Sequence, residues 1–302
     1  MRKRRHHYVP KFYLRPWSNT EQVFCLRKGI IKPIGLSDVG VEEDFYAVRD
    51  LTLEDIEFLR GVVIAQSPEG ARPIHENLLS AFTLIAFANR VLHQDPALKD
   101  EAKNEIRKVV SNLNENYHET IERHLQDAIK CMLSGSVEFF SDALKAGNFL
   151  RSLGLFSLRT KGRRERMKAV FRIPLPGFDI DRVYSPMIHM LAVNIGGSLL
   201  VDRSRYRIVL LRNETTTSFI TGDQPVINIH EACDERGIPR EVEWYFPLSP
   251  KVAMLYVLVE RSHYELHSNA SQADVNFYNR RIVEAHHDQL YGGSEESLSC
   301  YL

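Results

Sequence analysis

The sequence predicts an α+β protein, predominantly helical, with a small antiparallel sheet formed by the C-terminal part and an N-terminal hairpin. Three observations carry that expectation. Residues 96–133 contain no internal Gly or Pro and are rich in Glu, Lys, Asn and Leu, the composition of a long helix or a helical pair. Beyond residue 204 the β-rich runs RYRIVLLRN, TTTSFITGDQPVINI and EVEWYFPLSPKVAMLYVLV are joined by short polar breaks. Such spacing suits antiparallel pairing better than βαβ crossovers. Residues 23–35, VFCLRKGIIKPIG, place two β-rich runs around Lys28-Gly29, which reads as a short hairpin.

The elements follow in chain order. Pro10 is placed at the first position of a short helix, KFYLRPW. Thr52 followed by Asp55 is a capping-box variant that opens a helix through Ile64. Residues 75–92 crowd Leu78, Leu79, Phe82, Ile85, Ala86 and Ala88 together, the pattern of a buried helix. Residues 136–158 continue helical, with a break expected near Gly147 or Gly154. The basic run at 159–168 reads as a solvated interhelical segment, with a nucleic-acid groove as the sharper alternative. Residues 176–201 read as a loop and an apolar helix ending near Gly196-Gly197, and the final helix spans 271–291. A single domain is expected over 1–302: a helical middle at about 52–200, a β-rich part at about 204–260, and residues 1–20 packed on that part and the final helix.

Composition excludes some classes. The chain has 302 residues, 39 Lys+Arg against 39 Asp+Glu, and 44% hydrophobic residues, enough apolar surface to exclude disorder as the dominant state. Cys25, Cys131, Cys233 and Cys300 lie far apart without a CxxC pair, against zinc ribbons, redox motifs and a disulfide framework. The N-terminus has no apolar h-region, and apolar stretches are broken short of the ~20 residues a membrane helix needs. These features point to a reduced, cytoplasmic protein with no membrane partner.

Zero net charge hides three uneven zones. Residues 1–15 hold six basic side chains and no acid; Asp38 to Glu76 holds ten acids and three Arg; residues 159–172 hold seven basic residues and one acid.

Four places can carry chemistry. His6-His7-Tyr8 precedes a run of anchoring aromatics, and adjacent histidines on an extended segment face opposite ways, so one faces a given site. Asp223, in FITGDQPVI, has two readings: a turn carboxylate binding backbone amides, or an ionised ligand for a divalent metal or a histidine. Asn276 and Asn279 share a helical face, and a buried Asn there is often a clamp on a neighbouring loop. Arg90, on the apolar helix, either closes the helix end or binds phosphate. Walker A, GxSxG, GxGxxG and HExxH motifs are missing, so no organic cofactor is implied and a four-ligand zinc site is unsupported.

HHYVPKFYLR, DFYAV, FANRVL, FITGDQPV, PLSP and VNFYN occur in this order. The ordered set resembles the bacterial and fungal family catalogued as domain of unknown function 4238, over nearly the whole chain. Family members commonly read Ser-Asp-Asn-Pro where this chain has Gly222-Asp223-Gln224-Pro225. The resemblance implies motif positions at His6, His7, Tyr8, Pro10, Tyr13, Arg15, Tyr46, Arg90, Asp223, Pro225, Pro247, Asn276 and Asn279. It names no reaction. Because these positions come from both chain ends, one site is expected where the N-terminal segment meets the C-terminal sheet and helix.

The residue types favour a phosphodiester hydrolase of nuclease type. His6, His7, Asp223 and Asn279 would be catalytic, with His as general acid or base and Asp223 as the ligand of Mg²⁺ or Mn²⁺. Arg15, Arg90, Tyr8 and Asn276 would bind the substrate, RNA or DNA. Two rivals stand beside it: a nucleotide-processing enzyme acting on a small ligand, and a non-enzymatic binding or effector module whose His-Tyr-Pro segment is structural.

Overall fold

Strand β1 (Arg5–His7) leads into a short helix α1 (Lys11–Leu14), with Pro10 as its N-cap residue rather than its first helical residue. The structure, a computed structural model, describes residues 5–43, 45, 49–94, 100–172, 179–230, 239 and 241–302. Tyr46, most of the DFYAV motif and Cys233 lie outside the described residues.

The expected hairpin is present as β2 (Gln22–Arg27) and β3 (Ile30–Gly35). Lys28 and Gly29 close it with φ of 52° and 72°, the two left-handed residues of a type I′ turn. Strand β4 (Val41–Glu43) then returns to pair with β1, setting Glu42 opposite His6 and Val41 opposite His7.

Helix α2 (Leu53–Phe58) opens with the full capping box: Asp55 N donates to Thr52 Oγ1 at 3.2 Å, and Thr52 N to Asp55 Oδ2 at 2.9 Å. It passes into a π-helical turn, Leu59–Ile64. Helix α3 (Arg72–Gln94) was expected to be buried on most faces. It is amphipathic instead: Leu79, Phe82, Ile85 and Ala86 are buried, whereas Leu84 and Phe87 are more than half exposed. Helix α4 (Asp100–Leu133) is one uninterrupted helix of 34 residues.

Two helices correct the expected glycine breaks. Helix α5 (Ala143–Leu158) runs straight through Gly147 and Gly154, and after α6 (Lys161–Arg172), helix α7 (Ile180–Val201) runs through Gly196-Gly197. The glycines are there for packing. A Cβ on Gly196 would lie 2.7 Å from the Arg151 backbone of α5, and one on Gly154 would lie 3.3 Å from Ile195 of α7. Because backbone cannot give way as a side-chain tip can, Gly196→Ala should cost about 1–3 kcal/mol. A urea midpoint unchanged from wild type would disprove the close approach. By length and composition α7 can cross a membrane, yet its most apolar stretch is 61% buried inside the protein, as in a core helix.

The C-terminal third supplies β5 (Tyr206–Arg212), β6 (Thr221–Gly222), β7 (Ile227–Asn228), β8 (Trp244–Ser249), β9 (Val252–Leu258) and β10 (His267–Asn269). Helix α8 (Gln272–Ala285), strand β11 (Leu290–Gly292) and helix α9 (Glu296–Ser299) follow. The final long helix therefore stops at Ala285, six residues before the expected end, because His286 turns to extended backbone (ψ 157°).

Among the described residues the strands form three sheets, in place of one small C-terminal sheet beside a hairpin. One pairs β1 with β4, another runs β10-β5-β9-β8-β7, and the last runs β3-β2-β11-β6. Pairing is antiparallel apart from β10 beside β5. The last sheet joins the chain ends, since β11 sits between the N-terminal hairpin and β6. A large apolar core fills the space between the sheets and α4, α5 and α8, and a second lies between the π-turn, α3 and α7.

Candidate functional site

Asp223 follows directly from β6 and is 1% exposed. Its Oδ1 accepts from His287 N at 2.8 Å, and its Oδ2 accepts from Asp288 N at 2.8 Å and Gln289 N at 3.1 Å. The Asp223 amide in turn donates to the Gln289 carbonyl at 3.0 Å. The carboxylate thus organises the turn that carries the chain from α8 into β11. Burial pushes its carboxyl above the ordinary value, while the three amide donors and His286 act in the opposite sense. The turn-carboxylate reading of Asp223 is the one this geometry fits.

The neighbouring residues extend the same junction. Tyr8 Oη accepts from Gln289 Nε2 at 2.8 Å, tying the N-terminal segment to the turn that Asp223 holds. The Tyr13 hydroxyl donates to the Pro247 carbonyl at 2.7 Å and lies 2.6 Å from the Thr221 hydroxyl. Gln224, which stands where the resembled family has Asn, donates to the Ser157 carbonyl at 2.9 Å and accepts from Thr160 Oγ1 at 2.5 Å. Asn279 is fully buried on α8 and works as a backbone mimic: it accepts from Ile220 N at 3.0 Å and donates to the Ser218 carbonyl at 2.9 Å. Burial pushes the nearby Cys25 thiol up to about 12, which leaves it a neutral, unreactive group.

Removing the Asn279 amide strands a buried donor and a buried acceptor and leaves a small void. Asn279→Ala should therefore cost about 2 kcal/mol, visible as a fall of several degrees in Tm. A normal Tm would mean that the residue has no clamping role.

The histidines divide as the alternation of a strand requires. His6 shares a face with Glu42, directly opposite it in the ladder, and Glu42 accepts from Arg164 Nη2 at 2.5 Å and pairs with Lys161 Nζ at 3.5 Å. His7 faces the other way; burial, then Lys11, pushes its imidazole below the ordinary value. The His7 carbonyl accepts from Arg159 Nη2 at 3.4 Å, and buried Arg159 pairs with Glu122 at 2.6 Å.

The basic run is therefore a packed helix rather than a solvated connection. Lys161, Arg164 and Lys168 fall on one face of α6 (i, i+3, i+7) and meet Glu42, Glu165 and Asp181. Arg164 also lies 4.3 Å above the Phe45 ring. Exposed Arg166 reaches Gln224 Oε1 at 3.3 Å, and Gly162 approaches His287 so closely that a Cβ there would lie 2.9 Å from His287 Cβ. Across the turn, Arg27 pairs with Asp288 at 2.6 Å.

Three expected substrate-binding residues stand apart from this junction in their contacts. Arg15 is exposed and pairs with Glu21 at 3.0 Å. Arg90 is exposed, with its guanidinium 5.7 Å from the Phe87 ring. Asn276 is exposed and accepts from Gln272 Nε2 at 3.0 Å. The junction instead recruits Glu42, Thr160, Lys161, Arg164, Arg166, Gln224, His287 and Gln289. Of these, the basic residues had a signal in the charge run at 159–172, Glu42 in the acidic stretch, Gln224 in the motif around Asp223, and His287 in the His286-His287-Asp288 run after the last helix. Among the described residues no cluster of three His, Cys, Asp or Glu has the placement to hold a metal ion.

Fold and site together define a mixed α+β protein whose two chain ends are joined by a buried polar junction with a basic helix against it. Residues 5–296 match the family described as protein of unknown function DUF4238, and the chain belongs to that family. Comparison with curated proteins and with solved structures gives no match.

Proposed function

We propose that this junction is the site of a phosphodiester hydrolase of nuclease type, acting on RNA or DNA. One observation carries the reading: the basic helix α6 lies against both histidine-bearing chain ends. Lys161 and Arg164 meet the His6 face of the β1–β4 ladder through Glu42, and Gly162 abuts His287. A histidine beside guanidinium and ammonium groups suits proton transfer at a phosphate whose developing charge the cations stabilise. His6 and His287 are the candidate proton-transfer groups, and Lys161 and Arg166 the candidate phosphate contacts. Asp223 and Asn279 act as positioning residues, because their polar atoms already serve the protein backbone.

The test uses end-labelled RNA and DNA with the purified chain, in Mg²⁺, in Mn²⁺ and in a chelator. Cleavage should fall about 100-fold or more in His6→Gln with Tm unchanged. Arg166→Ala should weaken binding and flatten its salt dependence. Intact substrates under all three conditions, together with no salt-dependent binding, would refute the reading.

The saturation of Asp223, Tyr8 and Asn279 by the protein's own groups favours a second reading, a non-enzymatic binding or effector module. In that case His6→Ala lowers Tm by several degrees and no nucleolytic activity is lost, because there is none to lose.

A further inference from the structure

At the C-terminal end of α4 the structure has an open cleft of about 430 Å³, lined by none of the residues of the junction. Its floor comes from the helix end and from the adjoining ends of β5 and β9: Met132 and Leu210 are buried, and Leu133 and Val252 are half-buried. Leu210 and Arg212 are two apart on β5 and so point to the same side of the sheet, and Val252 lies directly opposite Arg212 in the ladder. The chain leaves α4 through Gly135 at φ +86°, close enough that a Cβ there would lie 3.2 Å from Arg212 Nη2.

The polar groups of the cleft are nearly all cationic or neutral. No described residue takes up the Arg212 guanidinium in a hydrogen bond or ion pair, and Lys251 reaches only the Thr215 carbonyl, at 3.5 Å. Asn213 is occupied in holding Thr215 and Thr217. Among the described residues the one acid on the rim is Glu214, which leaves the described lining with one net positive charge.

We propose that this cleft binds a small organic monocarboxylate with an apolar chain. The guanidinium fork matches a carboxylate in a bidentate pair, with Lys251 as a second charge. The apolar floor covers the chain, as in other small-molecule sites where a few polar groups fix orientation over an apolar lining. The apolar floor selects against inorganic phosphate, which has no chain to bury on Met132, Leu133, Leu210 and Val252.

The probe is octanoate, titrated into the full chain and followed by calorimetry, with inorganic phosphate and octylamine in parallel. Octanoate should bind at one site with Kd below about 1 mM, and the other two should not saturate. Arg212→Ala should weaken octanoate about tenfold or more, and Arg212→Lys, which keeps the charge and loses the fork, should also weaken it. Both side chains are exposed, so Tm serves as the control that the variants fold. The proposal is overturned by non-saturating octanoate, by phosphate binding as tightly as octanoate, or by undiminished binding in the folded Arg212→Ala/Lys251→Ala double variant.

Discussion

Asp223→Ala should destabilise the protein by about 4 kcal/mol, a large part of the total for a natural domain. The expectation follows from a count of donors. His287, Asp288 and Gln289 all present their amide N–H groups to this one buried carboxylate. Alanine leaves those donors without an acceptor, and each unsatisfied buried group costs about 1–3 kcal/mol. Water entering the vacated space recovers part of that cost. The damage would also spread, because the turn feeds β11, the strand between β2 and β6. Asp223→Asn keeps the shape and one acceptor oxygen, so it should cost less than alanine. Urea midpoints for the two variants check the order. A loss under about 1 kcal/mol in Asp223→Ala, with any phosphodiester cleavage abolished, would reassign Asp223 from positioning to chemistry.

The uneven charge along the sequence takes its meaning from these contacts. Asp38 of the acidic stretch pairs with Arg5 of the basic N-terminus, Glu42 with Lys161 and Arg164 of the basic run, and Asp55 with Arg182. Folding brings complementary zones together, so much of the basic character that suggested a nucleic-acid groove is already matched by acids of the same chain. Arg166 and Arg27 remain exposed beside the turn. The acids that α6 meets outside itself are Glu42 and Asp181, too distant in sequence for any spacing rule to reveal.

Local chemistry was legible where a local signal decides the structure. Lys28-Gly29 announced a hairpin because two left-handed residues are what such a turn requires, and Thr52 with Asp55 announced a helix start because both side chains cap nearby amides. Glycines misled, because Gly147, Gly154 and Gly196 serve close helix packing, a property of two helices at once. Of the candidate site, the meeting of the chain ends could be anticipated from motif residues at both termini. The tasks of those residues could not. Asn279 and Asn276 look alike on one helical face, and only the approach of Ser218 and Ile220 makes the first a buried clamp and leaves the second exposed.

Asp55 gives the second large effect, and it carries a pH signature. The residue is fully buried; Arg182 binds both carboxylate oxygens, Nε at 2.7 Å and Nη2 at 3.1 Å, while Thr52 N donates at 2.9 Å. Burial acts to raise its carboxyl, but the Arg182 and Thr52 donors outweigh it and hold the group below its ordinary value. Asp55→Ala removes a helix cap and strands a guanidinium that is 30% exposed. Since Arg182 can partly rehydrate, the cost should be about 3 kcal/mol, the lower end for a broken buried pair. A carboxyl depressed in the folded state adds stability above its unfolded pKa, about 3.9, and that stability is lost as pH falls through the lower folded value. The gap in unfolding free energy between wild type and Asp55→Asn should therefore be constant from about pH 7 to 5 and close steadily below about pH 4. Denaturant titrations at stepped pH measure that gap directly, and a gap that stays constant down to about pH 2 would show that the Asp55–Arg182 pair does not hold the carboxylate ionised.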